Sequence, residues 1–516
     1  MSSTSSSFHA SRRTVLLGAT AASLAACSRA GPPPGLLRVA SSAMPDSLDP
    51  ARGQFASAAL VYKQIYAGLT DYGPDGMLAP GLAEHWTVSD DGLVWTFTLR
   101  ENLRWSDGMV LTAEDIVWSA QRIVDPTQSF AILGDFFAVQ NARAILAGDS
   151  PASTLGAIVL DARRVEFRLT TPLGLFPILM REFYPFPRHV IDRYGIDWVQ
   201  PENIVTSGAY TVTQQTQNGI RLTKNPYYHA AVTVDIDAIQ LDAVRDASTR
   251  VRLFRADDYD LADAPPTNQI AFLRDRLGDR FRSFDAPILR YLKLNHARPG
   301  LDNEQVREAL SLAIDRDFIA REFFSDTARP TTQIIPGTHS SAPDIERAEA
   351  LLTASGQDIG NLHFEIRTSI GEGERMALAI ADDWSRVGVE SEIYATYPTD
   401  LYQAVDNGAF DVAISSFNRG LKSDPFFMLD PFGPNGFAAN FNWNDAQFAD
   451  LMDQARTVSD PMLRAAVYQQ AEARLLDQAA LIPLLHDRAH WLVGSRVAGT
   501  RPDVQPMLWR DLDLLD

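Results

Sequence analysis

The sequence predicts a large mixed α/β protein with several sheets, not a strict alternation of strand and helix, and three observations carry that prediction. Residues 93–100 alternate, with Trp95, Phe97 and Leu99 on one face, which is the period-two pattern of a half-buried strand. Residues 302–317 set Val306, Leu310, Ala313 and Ile314 on one stripe, the pattern of a helix with one buried face. Residues 481–493 return to an extended, apolar pattern after two helical stretches near the C-terminus. The 516 residues are 46% hydrophobic and 22% charged, which is globular composition, and at ~150 residues per domain they suggest roughly three domains, or two with insertions.

The elements follow in chain order. Residues 36–40 form a short apolar run suited to a first buried strand. After the strand at 93–100 comes a turn-rich stretch, 102–108, and then Thr112 can cap a helix whose first turn carries Glu114 and Asp115, where acids suit the helix dipole. Ile116, Ala120 and Ile123 continue it at helical spacing. A hairpin-like region covers 165–169, and strands at 208–212 and 220–223 end at Asn225-Pro226. Residues 375–387 form a helix, followed after Gly388 by a strand at 389–395 and a buried-strand candidate at 410–415. Residues 445–457 are amphipathic, and Asp460-Pro461 starts the next helix with a cap and a proline at the first position, running to about residue 477. Trp95 and Trp105 are assigned to packing, Trp95 because it sits on the buried face of its strand.

Charge and cysteine content exclude several functions. There are 46 Lys+Arg against 65 Asp+Glu, a formal net charge of −19, which disfavours nucleic acid and anionic lipid surfaces as partners. One cysteine permits no intrachain disulfide and no Cys-built metal site. The paired Arg12-Arg13 before an apolar stretch resembles a twin-arginine export signal, and Leu24-Ala25-Ala26-Cys27 resembles a bacterial lipobox, in which Cys27 carries the lipid. Cleavage nearby without lipid, for instance after Ala30, is the alternative. The expected organisation is a signal peptide at 1–26, a tether at 27–35 rich in Gly and Pro, and a body held outside the cytoplasm, in the periplasm, on a lipid anchor.

The usual catalytic signatures are missing. The sequence has no Gly-rich phosphate loop, no His-Glu-x-x-His helix, no Gly-x-Ser-x-Gly elbow and no Ser-x-x-Lys arrangement. His486 and His490 are four apart in a predicted strand, where four residues span ~13 Å, too far to chelate one ion together. They are read as surface or rim histidines, and Asp257-Asp258 and Asp382-Asp383 as solvated charges. No metal and no cofactor is expected, although a carboxylate-pair enzyme is not excluded by sequence alone.

One constellation is specific. AEHWTVSDDGLVWTFTLR at 83–100, LRWSDG at 103–108 and TAED at 112–115 are similar to the signature of the bacterial family 5 solute-binding proteins. SLDP at 47–50, NIVTSGAY at 203–210, KNPYY at 224–228, VREALSLAIDR at 306–316 and FDVA at 410–413 continue the resemblance in one order along the body. Its oligopeptide-binding branch looks closest. The resemblance implies a periplasmic-binding-protein type II-like fold with two lobes, a hinge and three structural domains: residues 36–75, 203–285 and 495–516 as domain I, 76–202 as domain II, and 286–494 as domain III. It also implies the substrate-binding subunit of an ABC importer, a monomer that performs no reaction, captures extended peptides in the cleft between its lobes and hands them to a membrane permease.

The expected ligand segment departs from that family's pattern. In the oligopeptide branch an aromatic residue precedes by three positions an aspartate that holds the ligand's α-ammonium. Phe417 fits the aromatic position, but Gly420 stands where the aspartate belongs, and no acid appears before Asp424. Either Asp424 replaces the anchor, or the ligand lacks a free α-amine there, or it carries an acid that Arg419 or Lys422 could clamp; Asp424 before Pro425 also reads as a helix or turn cap. Phe417, Asn418, Arg419, Asp424, Tyr66, Tyr397, Tyr402 and Trp443 are the candidate ligand-binding residues. A nickel chelate, haem or an oligosaccharide is the alternative cargo on this fold; a secreted carboxylate-based hydrolase and a peptide-folding scaffold are the alternatives outside the transport class.

Overall fold

The computed structural model describes residues 33–53, 56–73, 77–127, 137–325, 327–337, 341–418, 424–434, 436, 438–499 and 507–515. The expected signal peptide and Cys27 lie outside them, as do Arg419 and Lys422. The nineteen strands of the described residues are β1 (Leu36–Ser41), β2 (Thr70–Tyr72), β3 (Leu78–Pro80), β4 (Ala83–Val88), β5 (Val94–Leu99), β6 (Ala157–Val159), β7 (Arg164–Arg168), β8 (Tyr210–Gln215), β9 (Gly219–Lys224), β10 (Ala238–Ala243), β11 (Leu261–Asp263), β12 (Phe281–Leu294), β13 (Ala328–Pro330), β14 (His363–Ser369), β15 (Glu390–Thr396), β16 (Val412–Asn418), β17 (Leu481–Val493), β18 (Val497–Ala498) and β19 (Asp513–Leu514).

The mixed α/β class expected from sequence is what the chain adopts. One eleven-stranded sheet runs β15-β14-β16-β12-β17-β11-β1-β10-β9-β8, with β13 pairing on β17. A separate four-stranded sheet, β4-β5-β7-β6, buries Trp95, Phe97 and Leu99 on the face that the alternation predicts. Trp105 is likewise fully buried.

Helix boundaries follow local chemistry. Helix Ala113–Ile123 starts on a capping box in which the Asp115 carboxylate accepts the Thr112 N–H at 2.9 Å. Helix Ala446–Thr457 is capped by Asp445, which accepts Phe448 N–H at 2.7 Å, and helix Pro461–Asp477 by Asp460, which accepts Met462 N–H at 2.8 Å. The single helix expected over 302–317 is instead two, Glu304–Ala313 and Arg316–Phe324. Ile314 adopts an extended ψ of 124° and Asp315 then caps the second helix by accepting Phe318 N–H at 2.8 Å, so an aspartate expected inside one continuous helix acts as a start signal.

Two strands organise the large sheet. β12 and β17, 14 and 13 residues long, pair antiparallel along most of their length. At one end, Phe281 to Asp285 face Leu492 to Arg488, and β17 continues onto β11. At the other end, Leu289 to Lys293 face His486 to Leu481, and β12 continues onto β16. The register shifts between Asp285 and Leu289. Each half has a cluster of its own, and a third, with Leu37, Phe284, Leu289 and Tyr291, runs across both. Leu292, Leu294, Val306, Leu310, Ile380 and Trp384 share one cluster beside β14 and β16; Ala40, Val251, Phe254, Ile270 and Leu492 share another beside β1.

Two sequence readings are corrected here. His486 and His490 are not on the surface: they are 2% and 5% exposed, because β17 lies inside the sheet with partners on both edges. His486 Nε2 is hydrogen-bonded with the Gln333 carbonyl at 3.2 Å, and His490 Nδ1 with Ser283 Oγ. Asp383 is not a solvated charge either. It is buried, accepts the Asp315 N–H at 2.9 Å and pairs with Arg386 at 3.2 Å, tying one helix end to another helix face.

Candidate ligand-binding site

The site is a cavity of about 400 Å³ on the half of the sheet that holds β12, β14 and β16. Its floor is Tyr291 and Lys293 of β12 with Ile414, Ser415 and Ser416 of β16, strands that pair directly (Tyr291 opposite Ser415). One wall is the start of helix Glu372–Ser385, with Glu372 and Met376; the other is helix Pro398–Asp406, with Leu401, Tyr402, Val405 and Asp406. Such a volume suits a side chain or small organic group.

Its charges are unequally satisfied. Arg290 holds Asp487 through two hydrogen bonds of 2.6 and 2.9 Å and lies 3.6 Å from Glu372. Lys293 is 4% exposed and donates to Asn440 Oδ1, and the Asn440 amide in turn donates to Asp406 Oδ1 at 3.1 Å. Burial pushes the Lys293 ammonium down to about 8, against the pull of Asp406. Burial also pushes the Tyr291 phenol up. Among the described residues no three His, Cys, Asp or Glu side chains gather to hold a metal ion, and no helix is long and apolar enough to cross a membrane.

The sequence candidates distribute as follows. Tyr402 is 62% exposed and lines the cavity, and Tyr397 is 68% exposed just before its helix. Phe417 is buried, its ring 6.1 Å from Tyr291 and 5.5 Å from Phe432, so it packs beside Tyr291 and is not among the lining residues. Asn418 is exposed at the end of β16, and Arg419 lies outside the described residues. Asp424 is buried: it accepts Phe426 N–H at 2.9 Å and the Tyr468 hydroxyl and pairs with Arg464 at 3.3 Å. Tyr66 packs 5.7 Å from Tyr184 with its hydroxyl on the Leu48 carbonyl at 2.9 Å. Trp443 stacks on Phe441 and donates to Gln478 at 2.8 Å. The structure thus brings Tyr402 into the cavity and sets Phe417 against its lining residue Tyr291, and places Tyr66 and Trp443 in packed core.

Sequence reasoning missed Lys293, Arg290 and Tyr291. The signal was present in Leu289-Arg290-Tyr291-Leu292-Lys293-Leu294, where Leu289 and Tyr291 share a face with Lys293 while Leu292 and Leu294 occupy the other. A lysine inside a strand that is apolar on both faces is rarely there for packing.

Comparison with known proteins places this geometry in a family. The profile of "Bacterial extracellular solute-binding proteins, family 5 Middle" matches residues 77–439. The probable deoxycholate-binding periplasmic protein YgiS of Escherichia coli (strain K12) is 30% identical over 475 residues, covering 88% of each chain. The unliganded open form of MppA, a periplasmic murein tripeptide binding protein, superposes with a TM-score of 0.86 at 24% identity, covering 94% of this chain and 98% of that one. Haemophilus influenzae OppA in complex with RPPGFSPFR superposes with a TM-score of 0.68 at 25% identity, covering 94% of this chain and all of that one. The two-lobed architecture is shared with these solved structures, and this chain belongs to the bacterial extracellular solute-binding proteins of family 5.

Proposed function

We propose that this chain is the substrate-binding subunit of an ABC importer, and that it captures extended peptides between its lobes and delivers them unchanged to a membrane permease. The observation that carries the reading is the likeness, over 94% of this chain, to an OppA solved with a peptide bound. Strand edges can pair with a peptide's N–H and C=O groups whatever its side chains, which gives affinity without strict sequence choice. The hinge in this reading is the β12–β17 pair at its register shift between Asp285 and Leu289, with 286–494 as the moving third domain. The higher TM-score against an unliganded open form than against a peptide complex, 0.86 against 0.68, fits a chain in its open arrangement. Ligand that contacts both lobes favours closure by the difference in its affinity for the two states.

The protein carries out no reaction of its own in this reading. It works as a monomer in the periplasm, exported by its twin-arginine-type signal and anchored through lipidated Cys27. A second reading, a carboxylated sterol as cargo, is favoured by one observation, the 30% identity to a relative described as a probable deoxycholate-binding protein.

Native mass spectrometry of the purified protein after incubation with a peptide mixture tests the function. A receptor returns peptides of unchanged mass in a one-to-one complex; cleaved peptides would establish a hydrolase, and the absence of any complex would remove the peptide reading. The intact mass of membrane-extracted protein tests the anchor: the mature chain starts at Cys27 and carries the lipid, and Cys27→Ser releases it to the soluble fraction.

A further inference from the structure

Lys293 is a buried cation at a ligand-accessible place. It forms part of the floor of the 400 Å³ cavity and is 4% exposed. Among the described residues no carboxylate reaches ion-pair distance of its Nζ; the acceptor it has is Asn440 Oδ1, and Asp406, the nearest acid to act on it, accepts the Asn440 amide instead. An ammonium carries three N–H donors, so Asn440 leaves donor capacity for a further acceptor. A charge taken out of water without a close counter-ion is costly, and one that stands in a cavity wall acquires its partner when a ligand arrives. The other cation there is committed: Arg290 is held by Asp487 and Glu372. The rest of the lining is mixed: Met376, Leu401, Val405 and Ile414 are apolar, Ser369, Ser415 and Ser416 are polar, and two acids, Glu372 and Asp406, are engaged by Arg290 and by the Asn440 amide.

We propose that this cavity takes an apolar ligand group that bears a carboxylate, with Lys293 as its counter-ion. The inference rests on the receptor reading above and narrows it to a ligand class. Two sources share that chemistry: an acidic peptide, through a side chain or its C-terminus, and a sterol acid. The carboxylate gains a charge-assisted hydrogen bond from an ammonium that is itself buried, where such bonds are strongest. An uncharged isostere leaves the ammonium unpaired and is rejected for that reason.

The test is calorimetric titration of the full mature chain at pH 7 with tripeptides carrying Glu at each position, the matched Gln peptides, the C-terminally amidated forms of both, deoxycholate and its methyl ester. The expected result is that at least one carboxylate ligand binds tenfold or more tightly than its neutral counterpart. Lys293→Met brings that ratio close to one. Asn440→Asp, which gives Lys293 an internal counter-ion, lowers the ratio by the same route and serves if the Met variant does not fold. Equal binding of acid and neutral ligands by the wild type overturns the inference, and so does a tenfold preference that survives in either folded variant. Peptides that bind without regard to charge would sink the carboxylate site and leave the peptide receptor standing. A preference confined to deoxycholate, with no peptide bound, would do the reverse.

Discussion

Arg290 on β12 and Asp487 on β17 are joined by two parallel hydrogen bonds, 2.6 and 2.9 Å long, beside the register shift at which the two long strands pass from one half of the sheet to the other. Their side chains are 25% and 16% exposed, so the pair is only partly screened by solvent. Asp487→Asn removes the charge and keeps the shape, leaving the guanidinium with Glu372 at 3.6 Å. The expected loss of stability is about 1–3 kcal/mol in chemical denaturation. A change inside experimental error would mean that the pair is energetically neutral and that the β12–β17 crossing is held by its backbone ladder alone.

A second buried acid fixes a loop. Glu472, 8% exposed in helix Pro461–Asp477, accepts the backbone N–H groups of Ile334 at 2.8 Å and Ile335 at 2.7 Å through one oxygen. Glu472→Ala orphans one buried and one half-buried donor, and the expected cost is about 2–4 kcal/mol. Hydrogen exchange at residues 334 and 335 is the direct reading. Unaltered protection there in the variant would show that the loop is held by other contacts.

Ligand binding has its own thermodynamic mark. A ligand that binds only the folded chain stabilises it by about 2.7 kcal/mol at a hundredfold excess over its dissociation constant, which appears as a rise in Tm that grows with ligand concentration. A broad peptide library that leaves Tm unmoved at millimolar concentration would count against peptide import.

What could be read from sequence was what short-range chemistry fixes. The face of β5, the Thr112 and Asp460 caps and the extended run of β17 all depend on residues within a few positions of each other. What could not be read depends on partners far along the chain. His486 resembles a rim residue until β12 and β13 pair on either side of it, and Asp383 resembles a solvated acid until Asp315, 68 positions away, donates to it. The site divides in the same way. Tyr402 is one of four aromatics, besides Phe417, that the sequence offers as candidates to line the pocket, of which Tyr66 and Trp443 pack in the core instead, whereas Lys293 sits in a strand that the sequence reading passed over, and its significance comes from Asn440, 147 residues later.

Lys293 also makes a prediction about stability in which the sign is decisive. Burial lowers its ammonium from the ordinary lysine value of 10.5 to about 8, opposed by Asp406. Between those values the unfolded chain binds more protons than the folded one, so this group makes unfolding free energy rise as pH rises from about 8 to 10.5. Below pH 8 the folded protein carries the full penalty, on the order of 3 kcal/mol before relaxation of the cavity and its water. Met has a similar length and no charge, so Lys293→Met is expected to be more stable than the wild type at pH 7, by about 1–3 kcal/mol. That advantage shrinks toward zero as pH approaches 10.5. Urea denaturation of both chains at pH 7, 8.5 and 10 measures the gap. A wild type that is the more stable partner at pH 7, or a gap flat across that range, would mean that the ammonium is already compensated within the protein. A substitution that strengthens the fold and abolishes carboxylate preference would instead mark Lys293 as a residue whose cost to folding is offset only by what it binds.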